Sequence, residues 1–181
     1  MDIIKTKLEG CYIIEPKVWN DARGWFYESY SERELKKAGI NIAFVQDNHS
    51  MSDKKGILRG LHLQNSPHAQ AKLVRCTRGA ILDVAVDLRA DSATYKRWVS
   101  VMLSAENKKQ LLIPHGFAHG FLTLTDDVEV NYKADNFYNK ESEVGIIYND
   151  KEIGIDWGID NPIMSDKDAK ALPLSECDIK W

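Results

Sequence analysis

Ile81-Leu82-Asp83-Val84-Ala85-Val86-Asp87-Leu88 is the stretch that decides the fold. Side chains alternate between the two faces of a β-strand. Leu82, Val84, Val86 and Leu88 therefore share one face, and Asp83 and Asp87 share the other. Outward from this run the pattern repeats. Trp98–Ser104 sets Val99, Val101 and Leu103 against Ser100 and Ser104. Residues 128–133 place Val128, Val130 and Tyr132 opposite Glu129, Asn131 and Lys133. Shorter runs of strand character fall at 11–15, 25–29, 43–49, 57–64, 73–77, 110–113 and 120–124, with turn-forming residues between them. Strands this short and closely spaced over about 120 residues predict an all-β jelly-roll barrel, a fold that often holds a ligand in its mouth.

One short helix is expected at 32–38. Ser31 suits its start, Glu32 and Glu34 its positive end, Lys36 and Lys37 its negative end, and Gly39 stops it. After Ile155 the chain becomes irregular, with Pro162, Pro173 and the polar stretch 165–170, and short helices packed over a barrel edge are expected. No linker, repeat or low-complexity segment divides residues 1–181, so a single domain is expected.

The composition narrows the function classes. A chain of 181 residues with 44% hydrophobic content is of globular type. Its net charge of −3 argues against a nucleic-acid surface but leaves room for an anionic small molecule held by local Arg and Lys side chains. Cys11, Cys76 and Cys177 are odd in number and far apart, which predicts reduced thiols rather than a disulfide framework or metal cluster. Neither a signal-peptide core nor an apolar run of the roughly 20 residues needed for a membrane helix is visible, so a cytoplasmic protein with no membrane partner is expected.

Two segments look like altered versions of the cupin metal motifs, Arg59-Gly60-Leu61-His62-Leu63-Gln64 and Pro114-His115-Gly116-Phe117-Ala118-His119. Gln64 stands where a second histidine is usual. His62, Gln64 and His119 make a poor ligand set for a first-row metal, so none is expected. Parity raises a separate question. Arg59 and His62 would face opposite sides of a regular strand, unless Gly60 permits a bulge that turns both inward.

A wider set of motifs resembles the dTDP-4-dehydrorhamnose 3,5-epimerase family. It begins with Gln46-Asp47-Asn48, Arg59-Gly60-Leu61-His62 and 69–75, and continues through 83–89, 116–121, Tyr132-Lys133, Ile155-Asp156-Trp157 and 165–168. The resemblance implies a cupin-type jelly roll, a homodimer, and cofactor-free inversion of a dTDP-linked 4-keto-6-deoxy sugar at C3 and C5. It implies His62 as base, oriented by Asp168, with Tyr132 as acid and Lys72 near the ketone oxygen. Arg59 and His119 would line the pocket, and Arg23, Glu28, Gln46, Asp47, Asn48, Glu143 and Lys167 would hold the nucleotide-sugar, some across the dimer. Tyr138 would stack on the base, and Asp83 would be pocket-lining or structural. Ala134, Asp135 and His68 depart from the usual pattern. They bear on which sugar is preferred and whether both carbons are inverted.

These residue types fit the chemistry. A proton beside a ketone is weakly acidic, so its removal needs a base at the carbon and charge stabilisation at the oxygen. Imidazole, with an ordinary pKa of about 6.5, suits the first task. An ammonium suits the second. Inversion further needs a donor on the opposite face, which a phenol supplies. Asp166 competes with Asp168 as the partner of His62, and Tyr138 with Tyr132 as donor. Two other functions stay open: inversion at one carbon only, and sugar-nucleotide binding without catalysis.

Overall fold

The computed structural model describes residues 1–180. In chain order the strands are β1 (Asp2–Lys5), β2 (Tyr12–Glu15), β3 (Trp19–Asp21), β4 (Gly24–Phe26), β5 (Gln46–Ser52), β6 (Leu58–Gln64), β7 (Lys72–Arg78), β8 (Ala80–Asp87), β9 (Trp98–Ser104), β10 (Gln110–Ile113), β11 (Phe117–Thr123), β12 (Val128–Ala134) and β13 (Glu143–Gly145). Two short helices accompany them, α1 (Glu32–Lys37) and α2 (Asp166–Ala169). A six-stranded sheet in the order β1-β2-β10-β7-β12-β5 faces a five-stranded sheet in the order β13-β6-β11-β8-β9, while β3 and β4 form a separate hairpin. The pairings within these sheets are antiparallel. This is the jelly-roll class expected from the strand spacing.

Apolar side chains from both sheets meet in the barrel interior. Val74, Leu111, Ile113, Val128 and Val130 come from the larger sheet, and Ile81, Ala85, Val101, Leu103, Phe117 and Phe121 from the smaller. The outer face of each sheet is covered as well. Leu35 of α1 and Ile40 pack with Ile14, Leu73 and Leu112 on the outside of the larger sheet. Trp157, Ile153 and Leu174 from the chain's last third cover Leu58, Leu61, Leu63, Val84, Val86 and Leu88 on the outside of the smaller one.

This second layer reverses the simplest reading of the opening stretch. The apolar face of β8 points outward under the C-terminal segment, and the face with Asp83 and Asp87 points into the barrel. Both aspartates are fully buried. Asp87 is held by Arg89 (2.7 Å) and the Ser92 and Thr94 hydroxyls (2.6 Å each). Those bonds outweigh the burial that would raise its carboxyl and hold it at about 2.

Several local expectations change too. The 25–29 run yields only the end of the Trp19–Phe26 hairpin, with Trp25 and Phe26 exposed. Ser31 precedes α1 without a side-chain capping bond, whereas Gly39 does adopt the left-handed conformation (φ 80°) that ends the helix. The C-terminal segment covers a sheet face rather than an edge. Pairs from Ile163 to Leu58 and Gly56 (both 2.8 Å) fasten it, and the Asp150 carboxylate accepts from Leu174 N (2.7 Å).

Candidate active site

A cavity of about 510 Å³ opens between the sheets. Arg59 and His62 of β6 both line it, and the register explains how. His119 of β11 pairs with His62, but Phe121, two residues on, pairs with Arg59, three residues back. The extra residue is a bulge at Gly60, with φ 121°. A Cβ there would lie 2.6 Å from Gly120 Cα and 2.7 Å from the His119 carbonyl oxygen. Only paired glycines let the strands approach so closely, and the bulge turns both functional side chains inward.

His62 Nε2 donates to Asp168 Oδ1 at 2.6 Å. Asp168 comes from α2, whose first turn is capped by the Ser165 hydroxyl accepting from Asp168 N at 3.1 Å. Asp166, two residues earlier in α2, is exposed and does not line the cavity, so the geometry selects Asp168. Burial would raise the Asp168 carboxyl, but the bond to His62, its charge, and bonds from the Gly60 backbone and Ser165 leave it below the ordinary range. An ionised carboxylate on Nε2 fixes the tautomer and leaves Nδ1 as the basic nitrogen. The His62 side chain is 30% exposed, open to the cavity.

Lys72 of β7 and Tyr132 of β12 form the facing wall, with the Lys72 Nζ 5.9 Å from the Tyr132 ring centroid. Burial lowers the ammonium to about 8, while Asp83 and then Glu143 pull it back up. Burial raises the Tyr132 phenol, opposed by Arg59 and reinforced by Glu143, so it holds its proton at neutral pH. Arg59 is steadied by Ser52 Oγ (3.2 Å) and the Met51 carbonyl (2.9 Å). His119 also lines the cavity, its Nε2 2.7 Å from Asp83 Oδ1 behind it.

At the rim Glu143 binds Lys167 (2.6 Å) and accepts from the Tyr138 hydroxyl (2.9 Å). Burial would raise the Glu143 carboxyl, but these bonds lower it. The bond to Glu143 raises the Tyr138 phenol. Tyr138 is exposed here, outside the cavity wall that holds Tyr132. Gln46 joins this group because its Oε1 accepts from Tyr138 N (3.1 Å). Asp47 pairs with Lys133 (2.9 Å), and Asp47 and Asn48 line a separate hollow of about 210 Å³. Arg23 and Glu28 are not brought to the cavity. Arg23 sits in the turn between β3 and β4, bonded to Asp21, and Glu28 is exposed just beyond β4.

Two polar contributions were not anticipated. Buried Gln64 spends its whole amide on backbone, donating to His68 O (2.6 Å) and Phe137 O (3.2 Å) and accepting from Asn139 N (2.7 Å). The residue in the altered metal motif thus staples the loop bearing Tyr138. Ser165 was the other. Its Ser-x-x-Asp spacing before a polar turn is a readable cap signal. Ile163 and Met164 add an apolar wall with no such signal in the sequence.

Fold and site together define a jelly-roll enzyme equipped for general acid–base chemistry. Residues 5–176 match the family model of dTDP-4-dehydrorhamnose 3,5-epimerase. The Shigella flexneri dTDP-4-dehydrorhamnose 3,5-epimerase is 52% identical over 179 residues, 98% of either chain. A crystal structure of the Elizabethkingia anophelis NUHP1 enzyme of that name superposes with TM-score 0.93 at 51% identity, covering 97% of both chains. A dTDP-6-deoxy-D-glucose-3,5-epimerase from Legionella pneumophila Philadelphia 1, solved in complex with dTDP-4-keto-L-rhamnose, gives TM-score 0.93 at 44% identity, with 99% and 98% covered. The chain belongs to the dTDP-4-dehydrorhamnose 3,5-epimerase family, and it is an isomerase.

Proposed function

We propose that this chain epimerises a dTDP-linked 4-keto-6-deoxy sugar at C3 and C5, without a cofactor, through the cavity built on His62. The observation that carries the reading is the joint placement of the His62–Asp168 pair, Lys72 and Tyr132 around one cavity. Nδ1 of His62 takes the proton from carbon, and the C–H electrons pass into the enolate. The Lys72 ammonium stabilises the growing charge on oxygen, where exclusion of water makes that charge count for more. Tyr132 returns a proton to the carbon from the opposite face and is left as phenolate. Exchange with solvent resets both groups.

Arg59 and His119 hold the sugar, and Tyr138, Glu143, Lys167 and Gln46 form the nucleotide end of the site. Asp47, Asn48, Arg23 and Glu28 act as nucleotide-sugar ligands in a homodimer, where the hairpin of one copy completes the cavity of the other. The outward position of Arg23 beside exposed Trp19, Trp25 and Phe26 supports this assembly. Residues 1–181 act as one domain, in the cytoplasm.

The test is incubation with the 4-keto sugar nucleotide in deuterated water, counting label at C3 and C5. His62→Ala and Tyr132→Phe should each cut epimerisation by about 10²–10⁴-fold. Near-normal turnover in either variant removes that residue from the mechanism. Label at one carbon would make the enzyme a mono-epimerase, and binding without label would make it a binding protein.

A further inference from the structure

Asp83 is the least expected residue of the barrel interior. It sits mid-strand in β8 opposite Val101 and Phe121, with Ile81 and Ala85 flanking it on the same face. Its relative exposure is 0%. A carboxylate in such surroundings is costly unless its charge is matched. One oxygen is matched by His119 Nε2 at 2.7 Å. The other, Oδ2, is buried and has no hydrogen-bond partner among the described residues. We propose that Asp83 is a positioning residue for the reaction: it orients the His119 ring toward the sugar and supplies the negative charge against which the Lys72 ammonium is held.

The bond to Asp83 places the ring hydrogen on Nε2 and leaves Nδ1 of His119 for a ligand, the same division that Asp168 imposes on His62. The second half of the role is electrostatic. Lys72 is faced by Asp83 from β8 and Glu143 from β13, by Tyr132 from β12, and by cavity residues of β6, β11 and α2: Arg59, His62, His119, Lys167 and Asp168. Asp83 opposes the burial of Lys72 more strongly than Glu143 does, and the ammonium settles at about 8. Without Asp83 it would lose its proton at lower pH and could no longer serve the enolate at neutral pH.

This inference rests on the proposed epimerisation, and Asp83→Asn separates the two. The amide keeps the shape and can still accept from His119, so the variant removes little besides the charge. The expected result is a loss of about tenfold or more in kcat near neutral pH, with KM within about threefold. The alkaline limb of the kcat profile should move down by about one pH unit. NMR titration of the Lys72 side chain in the substrate-free protein should show the same downward move. Unchanged kcat, or a Lys72 titration identical in both proteins, overturns the proposal. If the wild type catalyses no exchange, the functional reading fails while the NMR titration still tests the Asp83–Lys72 coupling. Should Asp83→Asn not fold, by its melting curve, Asp83→Ser carries the same comparison.

Discussion

Two His–Asp pairs stand at the cavity, and they are built in opposite ways. His62 and His119 are direct register partners on neighbouring strands, and each gives Nε2 to a carboxylate at nearly the same distance, 2.6 and 2.7 Å. Asp83 reaches His119 from the adjacent strand, inside the sheet, and nothing in that pair can move without moving the barrel. Asp168 reaches His62 from a four-residue helix in the C-terminal segment, held by a serine cap and a backbone bridge at Ile163. One pair is part of the frame, and the other is closed onto it. A base must gain and lose a proton in each turnover, so the adjustable pair is suited to proton transfer and the rigid one to fixing geometry and charge.

Three substitutions break or sharpen this contrast, beyond those already described. The largest effect is expected from Gly60→Ala, which strikes both pairs at their shared point. The new methyl would lie 2.6 Å from backbone at Gly120, so β6 and β11 must part, and φ 121° is strained for alanine. Epimerisation should fall by about 10²-fold or more, with a clear drop in Tm. A variant with wild-type Tm and turnover would mean that the bulge does not hold the two histidines in place.

Asp168→Asn should come next, with kcat down on the order of 10²-fold and the protein still folded, because only the adjustable pair is altered. A loss of folding, with turnover retained by the folded fraction, would show that Asp168 is structural instead. Gln64→Leu should have the smallest effect. It frees the loop carrying Tyr138 while leaving both pairs intact, so KM for the nucleotide-sugar should rise about three- to tenfold at nearly constant kcat. An equal fall in kcat would place Gln64 in the chemistry rather than in the rim.

Much of the barrel was legible in the sequence because turn-forming residues separate its short strands and three of them alternate clearly. Trp98–Ser104 and Gln110–Ile113 stand where they were expected, and β8 is one residue out of step. The orientation of β8 was not legible. Periodicity says which residues share a face, but when both faces are covered it does not say which one is interior. The three-residue β13 lacks enough residues for a pattern, and it exists because β6 supplies a partner at Leu63. At the site, the inward turn of Arg59 and His62 was visible in Gly60, since a glycine mid-strand signals a bulge. The meeting of His62 with Asp168 was not, because no spacing rule joins residues 106 positions apart and only the family resemblance brought them together. In the sequence Gln64 reads only as the residue standing where a histidine is usual. Its staple depends on three backbone groups, which leave no trace in residue identity.

The separation of His62 from its carboxylate also has a meaning in time. At synthesis rates of roughly 5–20 residues per second, the imidazole leaves the ribosome about 5–20 s before the Asp168 that orients it, 106 residues later. The strands β7 to β13 are all made in that interval, so the two sheets can pair around a histidine that is still unoriented. The nascent chain is then a barrel whose His62 has no carboxylate beside it, until the last segment folds across the outside of the smaller sheet and brings Asp168 to it.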